Sequence, residues 1–285
     1  MTEIPDRRDE GNTTLRKVQL VQLRLLRHAD AICRKHHLRY WLDFGSLIGA
    51  VRHRGFIPWD DDIDISMPME DYRKFIEFAK QELPEDILLQ LPCSRNHDYH
   101  QNIIKLVDKY STMLTSNEQI ASDRLNGIFL DIFPVVQAPA IPEKLLRFLT
   151  KYTNDGYCLI HLKVHMNLKE IPRYYYRLWG YCVLRCIWAL LSKLLPSENF
   201  IYEPSGSQDQ TVMSETDIFP LRELEFEGEF FYVPQDYDTH LRRIYGDYME
   251  LPPEDERKGK CIVIADPYLK CDHPEALDWS KRRQA

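Results

Sequence analysis

Residues 41–66 read WLDFGSLIGAVRHRGFIPWDDDIDIS, and this stretch decides the fold. It ends in four closely spaced aspartates: Asp60, Asp61, Asp62 and Asp64. Carboxylates this close repel each other and are normally held together by a cation. The alternation of aspartate and isoleucine over residues 62–65 predicts a strand with Asp62 and Asp64 on one face and apolar packing on the other. The pair is expected to bind Mg²⁺ or Mn²⁺. A solvated acidic turn is the alternative, which the isoleucines disfavour.

A Gly-Ser pair lies ahead of the acidic cluster. Gly45 and Ser46 follow the apolar run 40–42, which is typical of a core strand. Glycine lets the backbone approach a phosphate closely, and serine offers a hydroxyl and an N–H to phosphate oxygens. The order of strand, Gly-Ser turn, short helix and Asp-apolar-Asp strand resembles the active site of the nucleotidyltransferase superfamily that includes DNA polymerase beta. Gly45 and Ser46 are therefore expected to bind substrate phosphates.

Longer blocks resemble the LicD family, the phosphocholine transferases of bacterial surface glycans, to which fukutin-related proteins are also similar. The blocks are GAVRHRGFIPWDDDIDI over 49–65, GIFLDIFP over 127–134 and YGDYMELPP over 245–253. Together with smaller matches they extend across most of the chain. The resemblance implies CDP-choline as the donor and a glycan hydroxyl as the acceptor.

Two further candidates lie in apolar runs. Asp131 interrupts residues 127–133, which predict a buried central strand, where a carboxylate is costly unless it is paired or metal-bound. It is a third metal ligand or the base that accepts a proton from the attacking hydroxyl. An Asp turn is the alternative, and the resemblance favours catalysis. Lys105, within residues 103–107, either reaches the sheet edge or points toward phosphate, and the resemblance favours the site.

Arg52 and Asp61 complete the expected substrate-binding residues. Arg52 belongs to an Arg-His-Arg run that could bind donor phosphates or pair with the acidic cluster. Asp60 and Asp61 could hold Arg52 or Arg54 in place of a metal ion. For Arg52, phosphate binding and pairing with the acidic cluster both stay open. For Asp60 and Asp61, binding a metal ion and binding an arginine both stay open.

The order of elements predicts an α/β fold. We expect a mixed β-sheet core of nucleotidyltransferase type with flanking helices and a helical insert. Predicted strands include 62–67, 87–91, 103–107, 127–133 and 224–233, and predicted helices include 15–36 and 237–245. The chain is divided into three parts: a helix and catalytic core over 1–137, a helical insert over 138–200 and a C-terminal return to the core over 201–285.

Composition narrows the classes of function. The 285 residues carry a net charge of −7 and no long basic run, which argues against a nucleic-acid binder. The seven cysteines include no Cys-x-x-Cys pair, a pattern that favours reduced thiols. The polar N-terminus lacks the apolar core of a signal peptide. The expected location is the cytoplasm, with peripheral contact to the inner face of the membrane as a further hypothesis.

That hypothesis depends on residues 174–195, the most apolar stretch of the chain. Arg185 near its middle would be expensive inside a bilayer. The stretch is therefore interpreted either as a buried helix of the insert or as an interfacial helix beside a lipid-linked acceptor.

The expected function is metal-dependent transfer of phosphocholine, or a related phospho-substituent, from a CDP-activated donor to a hydroxyl of a cell-surface glycan or its lipid-linked precursor. Asp62, Asp64 and Asp131 would be the catalytic and metal-binding residues. Transfer of phosphoethanolamine, of a phosphoalditol or of a whole nucleotide to a small molecule or protein are the enzymatic alternatives. A non-catalytic scaffold or glycan-binding protein is the alternative of another class.

Overall fold

The first helix follows directly from its sequence pattern. The computed structural model describes residues 4–91, 103–115, 126–161, 171–204, 211–259, 262–273 and 276. Helix α1 runs over Thr14–Lys35 and begins at Thr13, whose side chain accepts a hydrogen bond from the Arg16 N–H. Its apolar positions at helical spacing are buried, so the predicted helix is confirmed.

The stretch that carries the acidic cluster forms two strands and a helix. Strand β1 is Trp41–Leu42, helix α2 is Phe44–His53 and strand β2 is Asp64–Pro68. The predicted strand is displaced, because Asp62 lies in the loop before β2 rather than within it. The isoleucine side of the prediction is confirmed, since Ile63 and Ile65 are completely buried.

The remaining elements alternate helices and strands. They are α3 (Met69–Glu82), β3 (Ile87–Gln90), β4 (Ile104–Asp108), β5 (Thr112–Thr115), β6 (Phe129–Pro139), α4 (Glu143–His161), α5 (Ile171–Leu194), β7 (Pro196–Tyr202), β8 (Met213–Ser214), α6 (Glu215–Ile218), β9 (Arg222–Phe226), β10 (Glu229–Val233), α7 (Tyr237–Tyr245) and β11 (Ile262–Asp266). Short 3-10 helices cover Arg8–Glu10 and Glu254–Glu256.

The main sheet is mixed and centres on β6. Its strand order is β1-β2-β6-β4-β3, with β7 paired to the second half of β6 and β8 paired to β7. Strands β2 and β6 are parallel, while the other neighbours in this sheet are antiparallel. Two further strand pairs, β9 with β10 and β5 with β11, lie outside it. The predicted α/β class is confirmed.

One predicted strand is a hairpin instead. Residues 224–233 divide into β9 and β10 around a tight turn at Glu227 and Gly228, both with positive φ. Gly228 (φ 81°) adopts this conformation at little cost, because it has no Cβ. The sequence EFEGEFFYV contains this turn signal at its only glycine.

Helices α4 and α5 pack against each other between β6 and β7. Their inner faces bury Leu146, Leu149 and Trp188 against Ala138 and Ile201 of the sheet. Among the helices that the structure describes, none is both long enough and apolar enough to cross a membrane. The division of the chain at residues 137 and 200 stays a prediction.

Candidate active site

Three charged side chains form a row across adjacent strands. Asp64 on β2 is in register with Asp131 on β6, and Asp131 is in register with Lys105 on β4. The Lys105 Nζ lies 3.1 Å from Asp131 Oδ1 and 3.3 Å from the centroid of the Phe129 ring. All three charged residues are buried. The sheet register therefore unites residues that are far apart in sequence.

The other carboxylates meet this row from the loop before β2. Oxygen atoms of Asp60, Asp61 and Asp62 lie within 4.8 Å of one another. Burial, followed by the charges of Asp62 and Asp61, raises the pKa of Asp60 to about 8. Burial, followed by the charges of Asp62 and Asp131, raises the pKa of Asp64 well above its usual range. The five carboxylates thus repel each other within one electrostatic site.

A divalent cation fits this arrangement. Clustered carboxylate oxygens are the hard ligands that Mg²⁺ and Mn²⁺ prefer. Burial first, and then the charges of neighbouring carboxylates, raise the pKa values of Asp60 and Asp64, and a bound cation would oppose both effects. Among the described residues, the carboxylates brought within 4.8 Å of one another are those of Asp60, Asp61 and Asp62. The set of Asp62, Asp64 and Asp131 as metal ligands stays a prediction.

Gly45 and Ser46 border the carboxylates. A Cβ at Gly45 would lie 2.6 Å from Asp60 Oδ2, so a larger residue here would displace the Asp60 carboxylate. The buried Ser46 hydroxyl accepts a hydrogen bond of 2.8 Å from the Asp64 N–H. Ser46 therefore positions Asp64, a contact that the sequence pattern did not predict.

Asp61 lies on the side of the cluster that faces the C-terminal part of the chain. Its Oδ2 accepts a hydrogen bond of 2.8 Å from the Ile262 N–H, and its carbonyl accepts one from Gln22 Nε2. Asp61 is almost completely buried. These contacts link the acidic loop to β11 and α1, so Asp61 has a structural role in addition to the predicted substrate contact.

Arg52 lies on a basic rim next to Asp60. Its Nη1 donates to the Tyr248 carbonyl and its Nε to His53 Nε2. Burial and then the positive charge of Arg257 lower the pKa of Arg52, while the Asp60 charge opposes this change. Two guanidinium groups held near each other beside an acidic site form a surface that suits phosphate oxygens.

Asp43 is the centre of a network that the sequence analysis missed. It is completely buried, and its pKa is held below the usual value against the cost of burial, chiefly by His240. The groups that bond to its carboxylate are the Phe44 N–H (2.9 Å), Trp41 Nε1 (3.1 Å), the Ser66 hydroxyl (2.5 Å), the Tyr202 hydroxyl (2.8 Å) and His240 Nε2 (2.8 Å). Asp43 also caps α2, the helix that carries Gly45 and Ser46.

The sequence contains one indication of this network, which is the helix-capping position of Asp43. An Asp directly before an apolar run such as FGSLIGAV is a helix-capping pattern. Its partners Tyr202 and His240 lie on β7 and α7, and no sequence spacing connects them to residue 43. Only the folded sheet brings these elements together.

The main sheet carries carboxylates on the adjacent strands β2 and β6, and Asp43 caps helix α2, whose first turn contains Gly45 and Ser46. These features define an α/β domain with an acidic site. Comparison with known families matches part of the chain to one family. Residues 37–155 match the family described as "LicD/FKTN/FKRP, nucleotidyltransferase domain". The match to this family over residues 37–155 agrees with the resemblance that the sequence blocks predicted. The relationship to DNA polymerase beta stays a prediction.

Individual relatives extend the likeness beyond that domain. The chain is 29% identical over 272 residues to the lipopolysaccharide cholinephosphotransferase LicD of Haemophilus influenzae, covering 88% of this chain and 97% of that protein. It is 44% identical over 151 residues to the ribitol 5-phosphate transferase FKRP of Mus musculus, covering 48% of this chain and 30% of that protein. An uncharacterised protein of Rickettsia typhi, RT0683, is 38% identical over 65 residues.

Proposed function

We propose that this protein transfers a phospho-substituted group, phosphocholine in the first instance, from a CDP-activated donor to a hydroxyl of a surface glycan or its lipid-linked precursor. The observation that carries the proposal is the convergence of Asp62, Asp64 and Asp131, with Lys105 bound to Asp131. The likeness to a lipopolysaccharide cholinephosphotransferase over most of the chain supports the choice of group.

The donor pyrophosphate is assigned to the acidic site. A divalent cation held by Asp62, Asp64 and Asp131 would bind the pyrophosphate oxygens and neutralise charge that develops on the leaving nucleotide. Asp60 keeps its carboxylate against Gly45, at the edge of this site. Ser46 keeps the backbone of Asp64 fixed, so that its carboxylate is preorganised.

Two groups of cations bind phosphate in this proposal. Lys105 is buried beside Asp131 and presents its ammonium group within the row. Arg52 lies close enough to Asp60 and to Arg257 for both charges to act on its pKa. These positive charges would offset the negative charge of a pyrophosphate, which suits a donor with two linked phosphates.

The acceptor hydroxyl must lose a proton as it attacks the transferred phosphorus. Asp131 is the proposed base in the alternative arrangement in which Asp62 and Asp64 alone hold the cation, because it lies in register with Asp64 at the centre of the row. The products are then a phosphodiester on the glycan and CMP. This stoichiometry separates the proposal from nucleotide transfer, which releases pyrophosphate.

A phosphoalditol is the second candidate for the transferred group. The similarity to a ribitol 5-phosphate transferase covers about half of this chain at higher identity. That likeness covers less than a third of the relative's own length, so it supports the chemistry of the site more than the choice of acceptor.

The test is binding and turnover with a set of donors. Calorimetric titration with CDP-choline, CDP-ethanolamine, CDP-glycerol and CDP-ribitol, with and without Mg²⁺, is compared between the wild type and Asp62→Asn/Asp64→Asn. Glu77→Gln, an exposed carboxylate on α3, is the matched control. We expect one conjugate to bind only with metal, and only in the wild type and the control. Mass spectrometry of turnover with a glycan acceptor should then give CMP.

Two results would overturn the proposal. Release of pyrophosphate from a nucleoside triphosphate would identify a nucleotidyltransferase. Binding of every CDP conjugate with equal strength by the wild type and the double variant would separate donor recognition from the acidic site.

A further inference from the structure

Helices α4 and α5, which pack against each other, expose a set of large apolar side chains. We call it the hairpin stripe, and its members are Leu145, Phe148 and Tyr152 on α4 and Tyr176, Trp179, Ile187, Leu190 and Leu194 on α5. Tyr176 is 72% exposed, Trp179 65% and Leu190 57%. The spacing of three and four residues places the members of each helix along one side. Single exposed apolar residues are ordinary, whereas a contiguous patch of this kind marks an interaction surface.

The stripe takes no part in the buried cluster that joins the two helices to the sheet. The inner faces of the two helices already bury Leu146, Leu149 and Trp188 against the end of the main sheet. Phe148 and Tyr152 contact each other on the outside, with ring centroids 4.5 Å apart. The helices therefore have one face that holds them to the protein and a second apolar face turned away from it.

The charge of the two helices is opposite to that of the chain. Helices α4 and α5 contain seven lysines and arginines against two acidic residues, Glu143 and Asp155, in a protein of net charge −7. Lys144, Lys151 and Lys193 are exposed beside the stripe. A basic, aromatic and apolar helix face combines the three features that place helices in the interfacial layer of anionic membranes.

The hairpin is also connected to the catalytic strand. Strand β6 extends from Asp131 in the acidic row to Pro139 at the start of the hairpin. Arg185 on α5 forms an ion pair with the buried Glu203, whose N–H donates to the Pro134 carbonyl of β6. The hairpin is therefore joined to the strand that carries Asp131 both through the chain and through this ion pair.

We propose that the hairpin stripe binds the surface of a bilayer rich in anionic lipid, with its aromatic side chains at the level of the headgroups. A second copy of the chain is the competing occupant. Pairing two identical stripes would bring the flanking lysines and arginines of both copies together, and like charges across an interface oppose association. Anionic headgroups would neutralise the same charges.

Vesicle co-sedimentation tests the proposal. The full-length protein is mixed with vesicles of phosphatidylglycerol and phosphatidylcholine in equal parts, and separately with phosphatidylcholine alone. We expect binding to the first that weakens with added salt, and little binding to the second. Trp179→Glu and Leu190→Glu should each weaken binding by about tenfold, because each removes one buried apolar side chain.

Phe230→Glu is the matched control, since this residue is 61% exposed, lies on β10 and undergoes the same change of charge. Thermal unfolding of all variants establishes that they fold. As a second measurement, vesicles should shift the tryptophan emission of the wild type to shorter wavelength, and Trp179→Phe should lose most of this shift.

Three outcomes would overturn the inference. They are no vesicle binding by the wild type, an equal loss in Phe230→Glu, and a dimer in lipid-free solution that Trp179→Glu dissociates while vesicle binding is unchanged. None of these readouts depends on the donor, so the inference can fail while the proposed transferase activity holds.

Discussion

Asp64 and Asp131 lie directly beside each other on the two parallel strands at the centre of the sheet, although 66 residues separate them in sequence. Parallel neighbours in register bring their side chains to the same face. Both carboxylates are buried, and the charge of Asp131 is among the causes that raise the pKa of Asp64. The buried carboxylates of Asp64 and Asp131 therefore repel each other when both are ionised, and a bound cation would weaken this repulsion.

Asp64→Asn should stabilise the metal-free protein while it abolishes transfer. A neutral amide removes the repulsion and keeps the shape, so the free energy of unfolding should rise by roughly 1–3 kcal/mol. Because the raised pKa of Asp64 makes the folded state retain a proton that the unfolded chain loses, the gain should be larger at pH 8 than at pH 6. Urea unfolding in EDTA at both pH values measures it.

The surface variant Glu77→Gln is the control for this prediction, and it should change stability little at either pH. If Asp64→Asn instead lowers stability in EDTA, then the carboxylates are relieved by contacts other than a metal ion, and our interpretation of the raised pKa is wrong.

Metal affinity should rise with pH. Asp60 has a pKa of about 8, and the pKa of Asp64 is also raised, so protons compete with Mg²⁺ for these carboxylates at neutral pH. We expect Mg²⁺ to bind more tightly at pH 9 than at pH 7, with release of protons. Calorimetric titration in two buffers of different ionisation enthalpy measures both quantities. Affinity that is independent of pH over this range would contradict the prediction.

The hydrophobic periodicity of the sequence predicted helix α1 and the core strand around Asp64 correctly. The helical spacing in α1 and the isoleucines around Asp64 were sufficient for a buried helix and a core strand. The strand boundary at Asp62 was wrong because alternation continues into the loop, where side chains are placed by tertiary contacts such as those of the neighbouring Asp61. Periodicity cannot distinguish a strand from an extended loop beside it.

Gly45→Ala should impair transfer without unfolding the protein. An added Cβ would lie 2.6 Å from Asp60 Oδ2 and force that carboxylate to move. We expect activity to fall about tenfold to a hundredfold, because small displacements in an active site are costly. Gly180→Ala on α5 is the matched control, since its Cβ would meet nothing within 4 Å, and it should stabilise the helix by about 0.5–1 kcal/mol. Full activity in Gly45→Ala would show that the position of Asp60 does not matter.

His240→Leu should be strongly destabilising. It leaves the carboxylate of Asp43 completely buried without its imidazole partner, a change that costs about 3–5 kcal/mol. Asp43→Asn/His240→Leu should lose less than the sum of the two single variants, because the double variant removes the charge as well. Chemical denaturation of the four proteins measures this coupling, and strict additivity would show that the pair does not act as a unit.

The Asp43 network illustrates why part of the site could not be predicted from sequence. The capping position of Asp43 was visible in the sequence, yet its contacts to Tyr202 and His240 depend on β7 and α7 folding back beside β1. The same limit applies to Ser46, whose predicted phosphate contact rests on residue type, whereas its bond to the Asp64 N–H rests on tertiary geometry. The residue types indicated which side chains belong to the candidate site, whereas the folded sheet determines the hydrogen bonds that these side chains form.

Lys105→Met should separate metal binding from transfer. The buried ammonium lies 3.1 Å from Asp131 Oδ1, so its removal leaves the acidic site more negative and should tighten Mg²⁺ binding by about tenfold. Transfer should fall at the same time, because the variant loses a cation that we assign to donor phosphate. Lys105→Arg retains the charge and should keep metal affinity near that of the wild type. Calorimetric titration with Mg²⁺ and turnover at saturating metal measure the two effects independently. Weaker metal binding in Lys105→Met would mean that Lys105 supports the arrangement of the carboxylates rather than competing with the cation.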